Sequence, residues 1–156
     1  MRLLLPSLAS AGLVLAVALP LAPALGGCDS SDPVSCDTSG ELVVVDTTPD
    51  DAVVGSARVT ASDCVSLDYE GRLADGQVFD RGESTEFFIF RTVQGFQDAV
   101  VGRRVGESVR VTIPPQLGYG ARRQQASAFG VEIPPCSTLE FDIRIRDVAP
   151  PAVCGS

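Results

Sequence analysis

The sequence predicts an α+β domain in which an antiparallel sheet carries one short helix against its apolar face. Two observations predict the sheet. Val65, Leu67 and Tyr69 alternate with Ser66, Asp68 and Glu70, while Leu139, Phe141, Ile143 and Ile145 alternate with Glu140, Asp142, Arg144 and Arg146. Alternation at period two marks a half-buried strand. A third observation predicts the helix. Residues 93–102 (VQGFQDAVVG) abandon the alternation and set Val93, Phe96, Val100 and Val101 on one helical face. With 156 residues there is room for one such domain and little else, and 45% hydrophobic residues suffice for its core.

Taken in order, residues 1–27 read as a leader. Arg2 supplies a short positive start, and Leu3 to Leu25 is almost wholly apolar. Leu25-Gly26-Gly27-Cys28 resembles a bacterial lipobox, in which small residues admit a signal peptidase and the following thiol accepts lipid. Pro6, Pro20 and Pro23 disfavour a continuous membrane helix. Residues 28–40 are rich in Ser, Asp and Thr and are expected to form a solvated tether from a lipidated Cys28. The folded domain is expected over 41–148, with a tail over 149–156.

Within that domain, Glu41 to Asp46 (ELVVVD) reads as a strand, closed by the turn signal Pro49-Asp50-Asp51. Cys64 to Gly71 is the alternating strand already described. Asp75-Gly76 supplies a tight turn, and a strand resumes over Gln77 to Asp80. Thr85 to Phe90 (TEFFIF) reads as another short β run. The helix follows, with Gly102 as its stop signal. Val109, Val111 and Ile113 then alternate within Glu107 to Ile113, and the strand from Leu139 closes the domain. No internal repeat is visible.

Charge narrows the function. Acidic residues outnumber basic ones 20 to 12, a net of -8. Removing residues 1–27 takes away only Arg2 among the charges and leaves 11 basic residues, a net of -9. Such a surface argues against nucleic acid, which demands clustered positive charge. Every basic residue is Arg, and there is no His. The commonest metal ligand and the commonest general base near neutral pH are therefore missing, and no metal or cofactor is expected. With Cys28 lipidated, Cys36, Cys64, Cys136 and Cys154 remain. An even number in an exported chain suggests two disulfides, with three connectivities open. Their spacing, without C-x-x-C, argues against zinc and against a redox-active pair.

Four strings point further. YEGRLADGQVFDRG (Tyr69 to Gly82) is similar to Y-x-G-x-L-x-D-G-x-x-F-D-S, and VQGFQDAVVGRRVGE (Val93 to Glu107) to V-I-x-G-W-x-x-x-L-x-x-M-x-x-G-E. VTIPPQLGYG (Val111 to Gly120) is similar to I-P-P-x-L-x-Y-G, and IPPCSTLEFDIRI (Ile133 to Ile145) to I-P-P-x-x-x-L-x-F-x-V-x-L. These patterns, in this order, belong to the FKBP-type peptidyl-prolyl cis–trans isomerases, and the resemblance covers roughly residues 41 to 148. It implies a twisted antiparallel sheet wrapped around the short helix, with a ligand pocket between them.

The resemblance also implies a site. Tyr69, Phe79 and Phe141 match aromatic pocket walls, and Asp80 the acidic residue beside them. Val93 matches the residue whose backbone N–H holds a ligand carbonyl, and Tyr119 the hydroxyl that donates to the ligand. Phe96 stands where the family usually has Trp. Ile133 matches an apolar lip, and Phe87 or Phe88 one more wall. Taken singly, such aromatics more often fill a core, and Asp80 alone reads as a turn residue. The segment from Asp80 to Thr92 looks trimmed, and the loop from Ala121 to Glu132 looks lengthened, with Phe129 either covering the site or packing the loop down. The implied topology pairs Cys36 with Cys136 and Cys64 with Cys154. The implied function is prolyl isomerisation in exported proteins at the membrane surface. A non-catalytic binding or chaperone domain on the same fold is the alternative. Proline-containing peptides, unfolded exported chains and macrolides are the expected ligands, and a monomer the expected state.

Overall fold

The computed structural model describes residues 34–125 and 129–154. The expected leader over residues 1–27 and Cys28 lie outside the described residues. All the described residues belong to one compact unit.

Five strands form one sheet: β1 (Val43–Asp46), β2 (Cys64–Leu73), β3 (Val78–Phe88), β4 (Ser108–Ile113) and, at the end of the chain, Leu139–Ala149. Two short strands, β5 (Gln124–Gln125) and β6 (Glu132–Ile133), pair within the intervening loop, so the last strand is β7. The spatial order is β1-β4-β7-β2-β3, antiparallel throughout. Helix α1 (Gln94–Val100) buries Phe96, Ala99 and Val100 in the same cluster as Val109, Val111, Ile143 and Ile145. The alternation of β7 is realised without exception from Leu139 to Arg146: the apolar residues are buried and the polar ones are not.

Differences from the sequence reading are local. The two β runs read over 77–80 and 85–90 are one strand, because β3 pairs with β2 along its length, from Cys64–Phe88 to Arg72–Val78. Register shifts between Leu67 and Tyr69 and between Gly71 and Arg72 absorb the irregularity, and Ser84 takes a left-handed φ of 48°. The strand stops at Phe88, short of Phe90. The Thr92 N–H and hydroxyl both donate to the Ile89 carbonyl, at 3.0 and 2.8 Å, and close Ile89–Arg91 into a 3-10 turn. Val101 lies beyond the helix end and is 42% exposed, so it leaves the apolar face assigned to it. Gly76, at φ 86°, makes the tight turn between β2 and β3.

Both disulfides expected from the family topology are formed. Cys36–Cys136 and Cys64–Cys154 have Cα separations of 5.1 and 5.5 Å. Cys64 stands opposite Ala149 in the β2–β7 ladder, and the 3-10 turn Pro151–Val153 brings Cys154 back to it. The first bridge has a further consequence. With the Gln116 amide donating to the Gly40 carbonyl at 2.5 Å, it fastens the second half of the expected tether onto the domain. Residue 40 therefore does not mark where the chain leaves the fold.

Candidate active site

A cavity of about 400 Å³ opens between the sheet and the start of α1. Its wall follows from strand alternation. Tyr69 on β2, Phe79 and Phe87 on β3, and Phe141 on β7 all line it, and Phe96 enters from the helix. The rings meet in sequence: Tyr69 to Phe87 at 5.1 Å, Phe87 to Phe96 at 6.2 Å, Phe96 to Phe141 at 5.3 Å and Phe141 to Phe79 at 5.5 Å between centroids. Three of these four contacts are edge-on, the arrangement that the ring quadrupole favours. Gly71 makes the packing possible. It sits opposite Phe141 in the ladder, and a Cβ there would lie 2.7 Å from both the Phe141 and the Phe79 ring.

Polar groups are few. The Tyr69 hydroxyl donates to Asp80 Oδ2 at 3.0 Å, and the Arg81 N–H donates to Asp80 Oδ1 at 2.9 Å. Both carboxylate oxygens are therefore engaged. Burial, with the adjacent Asp80 carboxylate adding to it, pushes the Tyr69 phenol well above its ordinary pKa. Burial and the Asp80 charge likewise raise that of Tyr119. Neither phenol ionises near neutral pH. The Tyr119 hydroxyl has no hydrogen-bond partner among the described residues, and the residue lines the cavity. Val93, the residue just before α1, lines it too, and its N–H meets no backbone acceptor among the described residues. An aromatic cleft with two unspent donors can seat an apolar ring and hold carbonyl oxygens.

The comparisons with known proteins agree on this frame. The family model for FKBP-type peptidyl-prolyl cis-trans isomerase matches residues 55–146. The chain belongs to that family. FK506-binding protein 4 of Chaetomium thermophilum is 37% identical over 115 residues, covering 70% of this chain and 23% of that protein. A probable FKBP-type peptidyl-prolyl cis-trans isomerase of Haemophilus influenzae is 34% identical over 96 residues, covering 59% and 38%. The chain thus spans 23% and 38% of the length of these two curated relatives. A peptidyl-prolyl cis-trans isomerase of Pseudomonas syringae pv. tomato, solved as a crystal structure, superposes with a TM-score of 0.58 at 27% identity, over 69% of this chain and 75% of that one.

On the FKBP frame, the structure brings Tyr69, Phe79, Asp80, Phe87, Val93, Phe96, Tyr119 and Phe141 to one cavity, with Phe88 beside Phe87. Ile133 is not among them. It is 2% exposed, packed in the core, and paired with Gln124 in the β5–β6 ribbon. The ribbon turns it inward rather than to the lip. Phe129 does not line the cavity: it lies under the Arg81 guanidinium, 5.1 Å from carbon to ring centroid, and lines a separate groove. The sequence reading missed Glu86, Arg91 and Thr92, which also line the cavity. Among the described residues, Cys64, Glu86 and Cys154 gather possible metal ligands. Both sulfurs are committed to a disulfide, which leaves a single carboxylate.

Proposed function

We propose that this chain is a peptidyl-prolyl cis–trans isomerase acting on exported proteins at the face of a bacterial membrane, anchored by lipid on Cys28. One observation carries the reading: an aromatic FKBP cavity in which the Val93 N–H and the Tyr119 hydroxyl are unspent. Rotation about a peptide bond breaks amide resonance, at a barrier of about 18–20 kcal/mol. The twisted amide is less polar than the planar one, so an apolar wall accepts it better than water does. The Val93 N–H and the Tyr119 hydroxyl orient the substrate carbonyls. Asp80 keeps the Tyr69 ring in place through its hydrogen bond. The reaction requires neither a nucleophile nor proton transfer, which suits two phenols that stay protonated and a chain without His.

The leader, the Leu25-Gly26-Gly27-Cys28 motif and two disulfides support an oxidising, extracytoplasmic setting. Unfolded exported proteins are the proposed clients, and the domain acts as a monomer. Relatives named FK506-binding proteins support macrolide occupancy of the same cavity. Phe96, in place of the usual Trp, favours a second reading in which the domain binds clients without catalysis.

The test is the cis-to-trans rate of a short Xaa-Pro peptide series with oxidised protein, beside Tyr119→Phe and Asp80→Ala. Catalysis is expected, with Tyr119→Phe reducing kcat/KM by about twofold to tenfold, the worth of one hydrogen bond. An uncatalysed rate from folded protein would leave the binding reading. Cys28→Ser is expected to move the protein out of the membrane fraction.

A further inference from the structure

Arg91 is the one cation among the described residues lining the cavity, in a chain with an acidic balance of 20 to 12. Its place is built. The Ile89–Arg91 turn is closed by the two Thr92 donors, Ile89 is fully buried beneath it, and the Gln97 amide donates to the Thr92 carbonyl at 2.8 Å. The guanidinium carbon stands 5.0 Å from the Phe88 ring centroid and 5.7 Å from that of Phe90, and the two rings are 5.5 Å apart. Aromatic faces behind a guanidinium restrain its plane and leave its N–H edge available, so less freedom is lost when it grips a carboxylate. Phe90 is 55% exposed, an apolar cost that this support role explains. Arg91 lies two residues before Val93, whose N–H is unspent. Both residues line the same cavity, so a peptide carbonyl held at the Val93 N–H would bring its neighbouring side chains close to the guanidinium.

We infer that Arg91, braced by Phe88 and Phe90, makes this cavity selective for proline segments carrying an acidic side chain within two residues of the proline. The inference rests on the proposed peptide-binding function. Two acidic residues also line the cavity and oppose the preference. Asp80 is engaged on both oxygens, and a Glu86 oxygen lies within 4.8 Å of the Cys64 and Cys154 sulfurs. Arg91 is thus the charge best disposed to meet a passing side chain.

The experiment uses the full oxidised chain in mild detergent and a set of peptides with Glu, Leu or Lys placed one or two residues to either side of the proline. Wild type is expected to favour the best-placed Glu peptide over its Lys counterpart by about fivefold in kcat/KM, the upper end for an exposed ion pair. The preference should shrink as salt rises. Arg91→Glu should invert the order, and Arg91→Lys should retain part of it. No charge preference in wild type, or the same preference in Arg91→Glu, overturns the inference. If no peptide is turned over, the isomerase reading fails on its own. The same peptides are then compared by fluorescence anisotropy, where a Glu preference inverted by Arg91→Glu supports the inference and equal affinities overturn it.

Discussion

The two faces of the sheet are made by the same strands and could hardly differ more. On β7, Phe141 and Asp142 are neighbours in sequence. Phe141 packs against Phe79 and Phe96 at the cavity. Asp142 faces outward and accepts from Arg72 and Arg110, each at 2.7 Å, while Arg72 also pairs with Glu70. Nearby, Arg146 pairs with Asp68. The outer face bears the larger depression, about 750 Å³ against about 400 Å³. Yet most of its carboxylates already have guanidinium partners, and its groups are ones that water serves well. The smaller cavity combines apolar rings with donors that nothing in the described protein satisfies. Chemistry follows unspent polar groups in a dry wall rather than volume.

Mutations in adjacent residues would break or sharpen this contrast. The largest effect belongs to Phe141→Ala. It deletes a ring shared by the core and the cavity, and should cost about 3–5 kcal/mol in chemical denaturation together with catalysis. Losing either one of Cys36–Cys136 and Cys64–Cys154, which close loops of 100 and 90 residues in sequence separation, should come next. Each is expected to contribute about 2–4 kcal/mol, read as a fall in Tm with reductant. Gly71→Ala forces a methyl group between Phe79 and Phe141. About 1–3 kcal/mol of stability should be lost, and binding of proline peptides weakened, as measured by calorimetry.

The smallest effect falls on the outer face. Hydrogen bonding to Arg146 holds the Asp68 carboxyl below its ordinary pKa. For Asp142, burial pushes the other way, but the Arg110 and Arg72 hydrogen bonds outweigh it and the net shift is also downward. A folded pKa below the unfolded value stabilises above the ordinary carboxylate range. That stability disappears as pH falls through the lowered folded value. Asp142→Asn should therefore cost about 1 kcal/mol or less at pH 7, and less still in acid or high salt.

The cavity has its own pH signature. The chain has only two tyrosines, Tyr69 and Tyr119, and both line it. Both phenols are shifted upward, so any stability they give is present below the unfolded value near 10 and falls away at higher pH. Absorbance titration should show no phenolate forming until above pH 10 in the folded protein, and ordinary titration in urea.

What the sequence revealed follows the same division. Alternation made β2 and β7 legible, because a half-buried strand must repeat every two residues. The FKBP motifs brought together the aromatic wall, Asp80 and Tyr119, and the topology they imply paired the four cysteines other than Cys28. Features set by non-local bonds stayed hidden. The turn at Ile89–Arg91 depends on Thr92 reaching back to Ile89, and Val59 is 2% exposed in a stretch with no periodicity because its N–H and carbonyl are tied to Arg103 and Gly102. Ile133 was misplaced for a related reason. Its burial depends on pairing with Gln124, across a loop whose strands are two residues each.

Function is expected to reside in the aromatic cavity and not in the larger outer groove. The direct test is the cis-to-trans rate of one Xaa-Pro peptide with wild type, an Asp80→Ala/Tyr119→Phe double variant and an outer-face Arg144→Glu variant, each shown to be folded. Wild type and Arg144→Glu are expected to catalyse alike, and the double variant to lose catalysis. Catalysis that survives the double variant, or that falls with Arg144→Glu, would contradict it.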